Sequence, residues 1–168
     1  MESAEGRRQP TSDRWTGCRL GHLHWGANGG AGLLLRHAPR KGLVTYLLTL
    51  RSRWVDHGGT WGIPGGALHP GETTEAGAER ESGEEIWPVP PHQVTGVETQ
   101  DCGGGWLFRI VHADVEAAVP VYGYRETDAT GWFPVGEMGV LPLHPGLRAW
   151  VEAEVDRAKE ARESGGRS

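Results

Sequence analysis

Cysteine, phenylalanine, tyrosine and methionine are scarce in this sequence, and no long apolar run occurs. Two Cys in 168 residues, Cys18 and Cys102, cannot build a disulfide scaffold and form no C-x-x-C pair. A reducing compartment is therefore expected. The longest apolar stretches, such as Leu33–Leu35 and Tyr46–Leu48, are far too short to span a bilayer. The first fifteen residues are polar and lack the apolar centre of a signal peptide. The chain reads as a cytoplasmic protein without a membrane partner. An excess of basic residues is missing too. Asp and Glu number 22 against 17 Lys and Arg, a net charge of −5. That balance argues against a broad basic face for duplex nucleic acid. Leu, Ile, Val and Phe make up only about a fifth of the chain, near the disordered class, but the net charge is too small for that class.

What the chain has instead is tryptophan and turns. Eight Trp supply apolar volume, each able to bury roughly 150–250 Å². With 27 Gly and 11 Pro, many turns and sizeable loops are expected. The length suits one domain, expected over 16–163, with disordered tails at 1–15 and 164–168. Ala31–Leu35, Leu43–Leu50, Val94–Thr99, Trp106–Val115 and Trp132–Val135 read as strands. Thr73–Ile86 reads as a helix, with Thr73 or Thr74 as N-cap and Pro88 enforcing its end. A second helix follows Pro145, from Gly146 to about Arg162, with Leu147, Trp150, Val151, Ala153 and Val155 as its packed face. This order predicts an α/β (α+β) fold, a mixed β-sheet sandwiched between helices.

The informative stretch is Gly66–Glu85. Glu81, Glu84 and Glu85 are spaced i, i+3, i+4 and share one helix face. Like charges there repel, and Gly77 and Gly83 each cost the helix roughly 1 kcal/mol relative to Ala. Solvated acidic faces are common in proteins. Here, however, the acids follow a Gly65-Gly66 pair that permits close backbone approach, with Glu72 and Arg80 nearby. Hard divalent cations take oxygen ligands, and a cation would relieve the repulsion.

The pattern Gly66-x5-Glu72-x7-Arg80-Glu81-x2-Glu84-Glu85 resembles the Nudix box, the signature of the Nudix hydrolase superfamily. The flanks Gly59–Gly66 and Gly131–Met138 are also similar, so the resemblance covers roughly 30–145. Ser82 stands where the box has an aliphatic residue, Trp87 where it has Gly, and Pro88 where it has a last aliphatic. None of the three removes a metal ligand. The resemblance implies the Nudix fold and hydrolysis of a phosphoanhydride in a nucleoside triphosphate or other nucleoside diphosphate derivative. It implies Mg²⁺, with Mn²⁺ as substitute, and a water nucleophile. Glu84, Glu85 and the Gly65 carbonyl would hold metal. Glu81 would be a metal ligand or the general base, oriented by Arg80, and the family's members differ over which Glu is the base. Glu126, six residues before Trp132, resembles a further metal ligand outside the box, with Asp128 as second choice.

Arg51 and Trp61 are candidate substrate contacts, the first, like Arg36 and Arg53, as a forked phosphate donor and the second, like Trp106 and Trp132, as a stacking face for a base. Solvated arginine and core tryptophan are the commoner roles of such residues. The markers of the ADP-ribose and dinucleoside-polyphosphate groups, a Pro and a Tyr, do not occur in Asp101–Trp106, which tilts the reading toward a MutT-like enzyme. A Nudix-fold module that binds nucleotide without cleaving it is the alternative, and the intact acids speak against it. Homodimers occur in the superfamily, and the terminal helix could form such an interface. Cys18, His22 and His24 offer soft-metal ligand types in a row. A structural zinc needs a fourth ligand, and the neighbouring sequence supplies none.

Overall fold

A computed structural model describes residues 13–165. Of the expected tails, 1–12 and 166–168 lie outside the described residues. Trp15 already belongs to a strand, and Ser164 and Gly165 belong to the last helix, so the tail boundaries move outward there.

The chain runs through β1 (Trp15–Gly17), β2 (Leu23–Trp25), β3 (Gly30–His37), β4 (Thr45–Arg51), β5 (Trp61–Gly62) and β6 (Gly65–Ala67). Then follow α1 (Thr74–Glu85), β7 (Ile86–Trp87), β8 (His92–Asp101), β9 (Leu107–Val115), β10 (Tyr122–Gly123), β11 (Thr127–Pro134), α2 (Val135–Met138) and α3 (Pro145–Gly165). The main sheet has the order β11-β4-β3-β9-β8, with β5 added on β4 and β6 on β3. β3 and β9 pair in parallel and the other neighbours are antiparallel, so the sheet is mixed. β1–β2 and β7–β10 form two separate antiparallel pairs.

Alternation along the central strands fills two cores. Leu33, Leu35, Leu47, Val111 and Ala113 pack under Ala78 of α1. Leu34, Leu48 and Ile110 point the other way, against Met138 of α2 and Leu147, Trp150 and Val151 of α3. Each such buried Leu contributes roughly 1.5–3 kcal/mol. Buried on both faces, β3 reads as a continuous apolar run rather than an alternating one. The sheet is thus sandwiched between helices, as expected. Ala153 departs from expectation: it is exposed, because the packed face of α3 is the i, i+3, i+4 set 147, 150 and 151. Among the described residues, no helix is long and apolar enough to cross a membrane.

The local signals of α1 act as the sequence implies. Thr73 caps it, its hydroxyl accepting from Ala76 N–H at 3.2 Å. Ser82, fully buried in place of an aliphatic residue, satisfies its hydroxyl by donating to Ala78 O at 2.7 Å. Gly77 has a packing reason: a Cβ there would stand 2.3 Å from Leu68 Cδ2. Nothing in the structure requires glycine at position 83.

Candidate active site

α1 lies across the sheet above β3 and β6, with its acidic face toward an open cleft of about 1810 Å³. Arg80 ties the helix to the loop before it. Its Nε and Nη2 donate to the two carboxylate oxygens of Glu72 at 2.9 and 3.1 Å, and Nη2 also donates to Ala67 O at 2.8 Å. Nη1 reaches Glu81 Oε1 at 2.7 Å and Glu84 Oε1 at 3.4 Å. Glu72 in turn accepts from His69 N–H at 2.9 Å, fixing the loop. One guanidinium therefore aims two acids and one loop. The Glu72 hydrogen bonds, partly offset by desolvation, hold Arg80 charged and well above its ordinary value.

Glu81 rests against Gly66, whose Cα hydrogen side faces the carboxylate: a Cβ there would come within 2.5 Å of Glu81 Oε2. Glu85 is buried, at 8% exposure. Burial above all pushes its carboxyl up to about 8, against the lowering pull of Arg51, while Glu81 and Glu126 add to the rise and a backbone hydrogen bond from Gly65 opposes it. Burial likewise lifts Glu81, and Arg80 works against that lift. Glu84 is half-exposed at the cleft.

Residues distant in sequence join this ridge through backbone hydrogen bonds. Tyr124 N–H donates to Glu85 O at 3.0 Å, and Ser52 N–H donates to Glu126 O at 2.8 Å. These two bonds bring the β10–β11 turn and the end of β4 to the C-terminal end of α1. Arg125 holds a φ of 56°, in the left-handed region, within the turn that carries Glu126. Arg51, Gly65, Glu81, Glu84, Glu85 and Glu126 all line the cleft. An all-oxygen set of this kind, with one carboxylate raised chiefly by burial, fits a hard divalent cation. Asp128 is engaged elsewhere, accepting from the Ser52 hydroxyl.

Trp61 is not among the residues lining the cleft. It packs edge-on against Phe133 at 4.9 Å within the α3-side core, and its backbone bonds Pro142 O and His144 N–H. The stacking role expected of it is thereby corrected, because β5 turns the ring into the core. Trp132, which donates to Val119 O at 2.8 Å, also packs rather than lining the cleft. Arg36 is bound to Asp114 at 3.0 Å. Sequence reasoning missed His144 as a cleft residue. It faces His57 at 4.7 Å, and burial, reinforced by Arg51 and His57, lowers it to about 4, so it is neutral at pH 7. The sequence signal, His144-Pro145 ahead of a helix, speaks only to helix entry.

The NUDIX domain family model matches residues 29–153 of the chain. The Mycobacterium tuberculosis protein named "Putative 8-oxo-dGTP diphosphatase 3" is 38% identical over 143 residues, covering 82% of this chain and 66% of that protein. The match spans just under two thirds of that relative's own length. A Bifidobacterium longum protein named "Nucleoside triphosphate pyrophosphatase/Nudix hydrolase fusion protein" is 44% identical over 116 residues, 67% of this chain and 24% of that one. Among solved structures, the Nudix hydrolase RenU from M. smegmatis superposes with a TM-score of 0.75 at 32% identity, covering 90% of this chain and 96% of the other.

Proposed function

The chain belongs to the Nudix family, and we propose that it is a Mg²⁺-dependent pyrophosphohydrolase acting on a nucleoside triphosphate. The observation that supports this is that Glu81, Glu84, Glu85 and Glu126 and the Gly65 backbone line one cleft that also holds Arg51. The names of the mycobacterial and bifidobacterial relatives support a nucleoside triphosphate over other diphosphate derivatives.

Glu84, Glu85, Glu126 and the Gly65 carbonyl would hold the cation, with Glu81 as a further ligand or the proton acceptor. Bound there, Mg²⁺ or Mn²⁺ would screen the polyphosphate and polarise the anhydride. In the second role Glu81 would take the proton of the attacking water on the oxygen that Arg80 does not bind. Its burial raises its proton affinity above that of an ordinary carboxylate, in the direction a base requires. Arg80 keeps that carboxylate pointed at the cleft. Arg51, which lines the same cleft and donates through Nε to Asp56 O at 2.9 Å, would offer its remaining N–H groups to a phosphate oxygen.

The test is a panel of nucleoside tri- and diphosphate derivatives incubated with Mg²⁺ or Mn²⁺, with phosphate and pyrophosphate read separately. Pyrophosphate release from a triphosphate is expected. No hydrolysis of any compound with either metal would remove the proposal.

A further inference from the structure

The β1–β2 hairpin has little to hold it. Its strands are three residues each and pair with no other strand. A lone two-stranded hairpin is marginal in water. It also leaves Trp15, Leu23 and Trp25 largely exposed. Yet it forms one wall of the cleft, with Trp15, His24 and Trp25 lining it.

The hairpin's turn gathers metal-ligand side chains. Cys18 N–H donates to His22 O at 3.0 Å and Gly21 N–H to Cys18 O at 2.9 Å, with Gly21 at a φ of 78°. The chain reverses so tightly that one ligand atom from each of Cys18, His22 and His24 lies within 4.8 Å of the others. The fourth residue comes from the β8–β9 turn. Arg19 N–H donates to Gly104 O at 2.9 Å, docking that turn on the hairpin. That contact carries Cys102 toward the Cys18 turn, and Gly104 N–H donates to Cys102 Sγ at 3.3 Å. A Cβ on Gly104 would stand 2.4 Å from Cys18 Sγ, so a side chain there would block the approach.

The ligand atoms are prepared for a soft cation. His24 Nε2 is buried and finds no hydrogen-bond partner among the described residues. Its ring is fixed by stacking on Trp106 at 4.4 Å and 6°, and Trp106 is itself fixed by donating to Gly26 O at 2.8 Å. Burial, then the neighbouring His22, holds His24 below its ordinary value.

We propose that Cys18, His22, His24 and Cys102 form a tetrahedral Cys2His2 site for Zn²⁺ that staples the β1–β2 hairpin to the β8–β9 turn. Bonds of about 2.0–2.3 Å give ligand separations near 3.6 Å, so the Cys18, His22 and His24 atoms, now within 4.8 Å, draw together and Cys102 turns in to complete the set. Four protein ligands leave no open position, so the ion is structural. Thiolate and imidazole select zinc, whereas the glutamate ridge selects a hard cation. The two sites therefore sort different metals. This inference stands on the hairpin and the β8–β9 turn and does not depend on the hydrolase reading.

The experiment uses the untagged full chain, purified under reducing conditions without chelator, with zinc measured by elemental analysis. One zinc per chain is expected. It should persist in the triple variant Glu81→Gln/Glu84→Gln/Glu85→Gln and be lost in Cys18→Ser/Cys102→Ser. Because the cysteine variant would lose hairpin structure if the proposal holds, a second arm keeps the natural sequence. Zinc is stripped by a chelator and replaced by Co²⁺, which should show the intense visible absorption of a tetrahedral, thiolate-ligated ion. The Cys102→Ser chain should show a weaker thiolate band. A zinc-free preparation whose cobalt spectrum is octahedral and lacks thiolate bands would overturn the proposal. So would zinc that leaves with the glutamates and stays in the cysteine variant, or a Cys18–Cys102 disulfide in place of metal.

Discussion

Arg80 and Glu72 meet in a two-pronged ion pair, Nε to Oε1 at 2.9 Å and Nη2 to Oε2 at 3.1 Å. The pair is mostly shielded from water and spans the loop between β6 and α1. Lysine keeps the charge but not the fork. Arg80→Lys is expected to lower stability by about 1–3 kcal/mol, by losing charge-assisted hydrogen bonds in a shielded place. It should also reduce turnover more than it raises KM for nucleotide, because Glu81 loses its orienting partner. Denaturant melts with steady-state kinetics check both. An unchanged melt would mean that the fork does not brace the loop.

Gly66→Ala separates stability from catalysis. The added methyl would sit 2.5 Å from Glu81 Oε2, at the end of a flexible side chain that is free to swing away. A melting temperature close to that of the unaltered chain is expected, together with a fall in turnover of at least about tenfold. That pairing follows because a shift of about 1 Å at a catalytic group is already costly. Retained turnover would show that Glu81 is not needed where it stands.

Glu85→Gln and Glu81→Gln should each cut turnover by about 10²-fold or more with the fold intact by circular dichroism, as loss of a metal contact or base requires. Near-normal rates in both would contradict the site.

The lifted Glu85 carboxyl makes the metal-free protein sensitive to base. Its folded value is about 8 against an ordinary 4.5, so the folded state keeps a proton that the unfolded chain releases. Stability therefore falls as pH rises from about 4.5 to 8. Glu81, also raised, acts in the same direction. His144 acts oppositely: lowered from 6.5 to about 4, it makes stability rise with pH, but only over that lower window. Between pH 6.5 and 8 the His144 contribution is complete and the carboxylate effect remains. In chelator, the melting temperature should drop across that interval, and the drop should shrink in Glu85→Gln. A flat profile in the unaltered chain would refute the burial argument.

Mg²⁺ should raise the melting temperature by linkage. At one hundred times Kd the gain is about 2.7 kcal/mol, or roughly 5–10 °C for a chain of this size. The gain should grow from pH 6.5 to 8, as the cation displaces the Glu85 proton, and should vanish when Glu81, Glu84 and Glu85 are all Gln. No shift at millimolar Mg²⁺, with or without nucleotide, would count against a metal site on α1.

Much of this protein is written in short-range pattern. The i, i+3, i+4 spacing of Glu81, Glu84 and Glu85 puts them on one helix face wherever the helix lies. Thr73 caps that helix from its own hydroxyl, and the apolar run of β3 marks a doubly covered strand. The burial partners of those residues are longer-range. Trp61 and Trp106 look equally suited to stacking on a base in the sequence, yet β5 turns the first into the core and the β8–β9 turn leaves the second lining the cleft.

The sequence by itself determined the acidic face, the glycines that let a carboxylate approach the backbone, and the layered sheet, because helical and strand periodicities are properties of neighbouring residues. Only the tertiary structure decided that Glu85 is the buried acid and that Glu126, Arg51 and His144 share its cleft. It alone brought Cys102 to the hairpin carrying Cys18, His22 and His24. Those meetings are made by the register of paired strands and by hydrogen bonds such as Tyr124 to Glu85 and Arg19 to Gly104. Each joins segments far apart along the chain, where no local pattern carries the information.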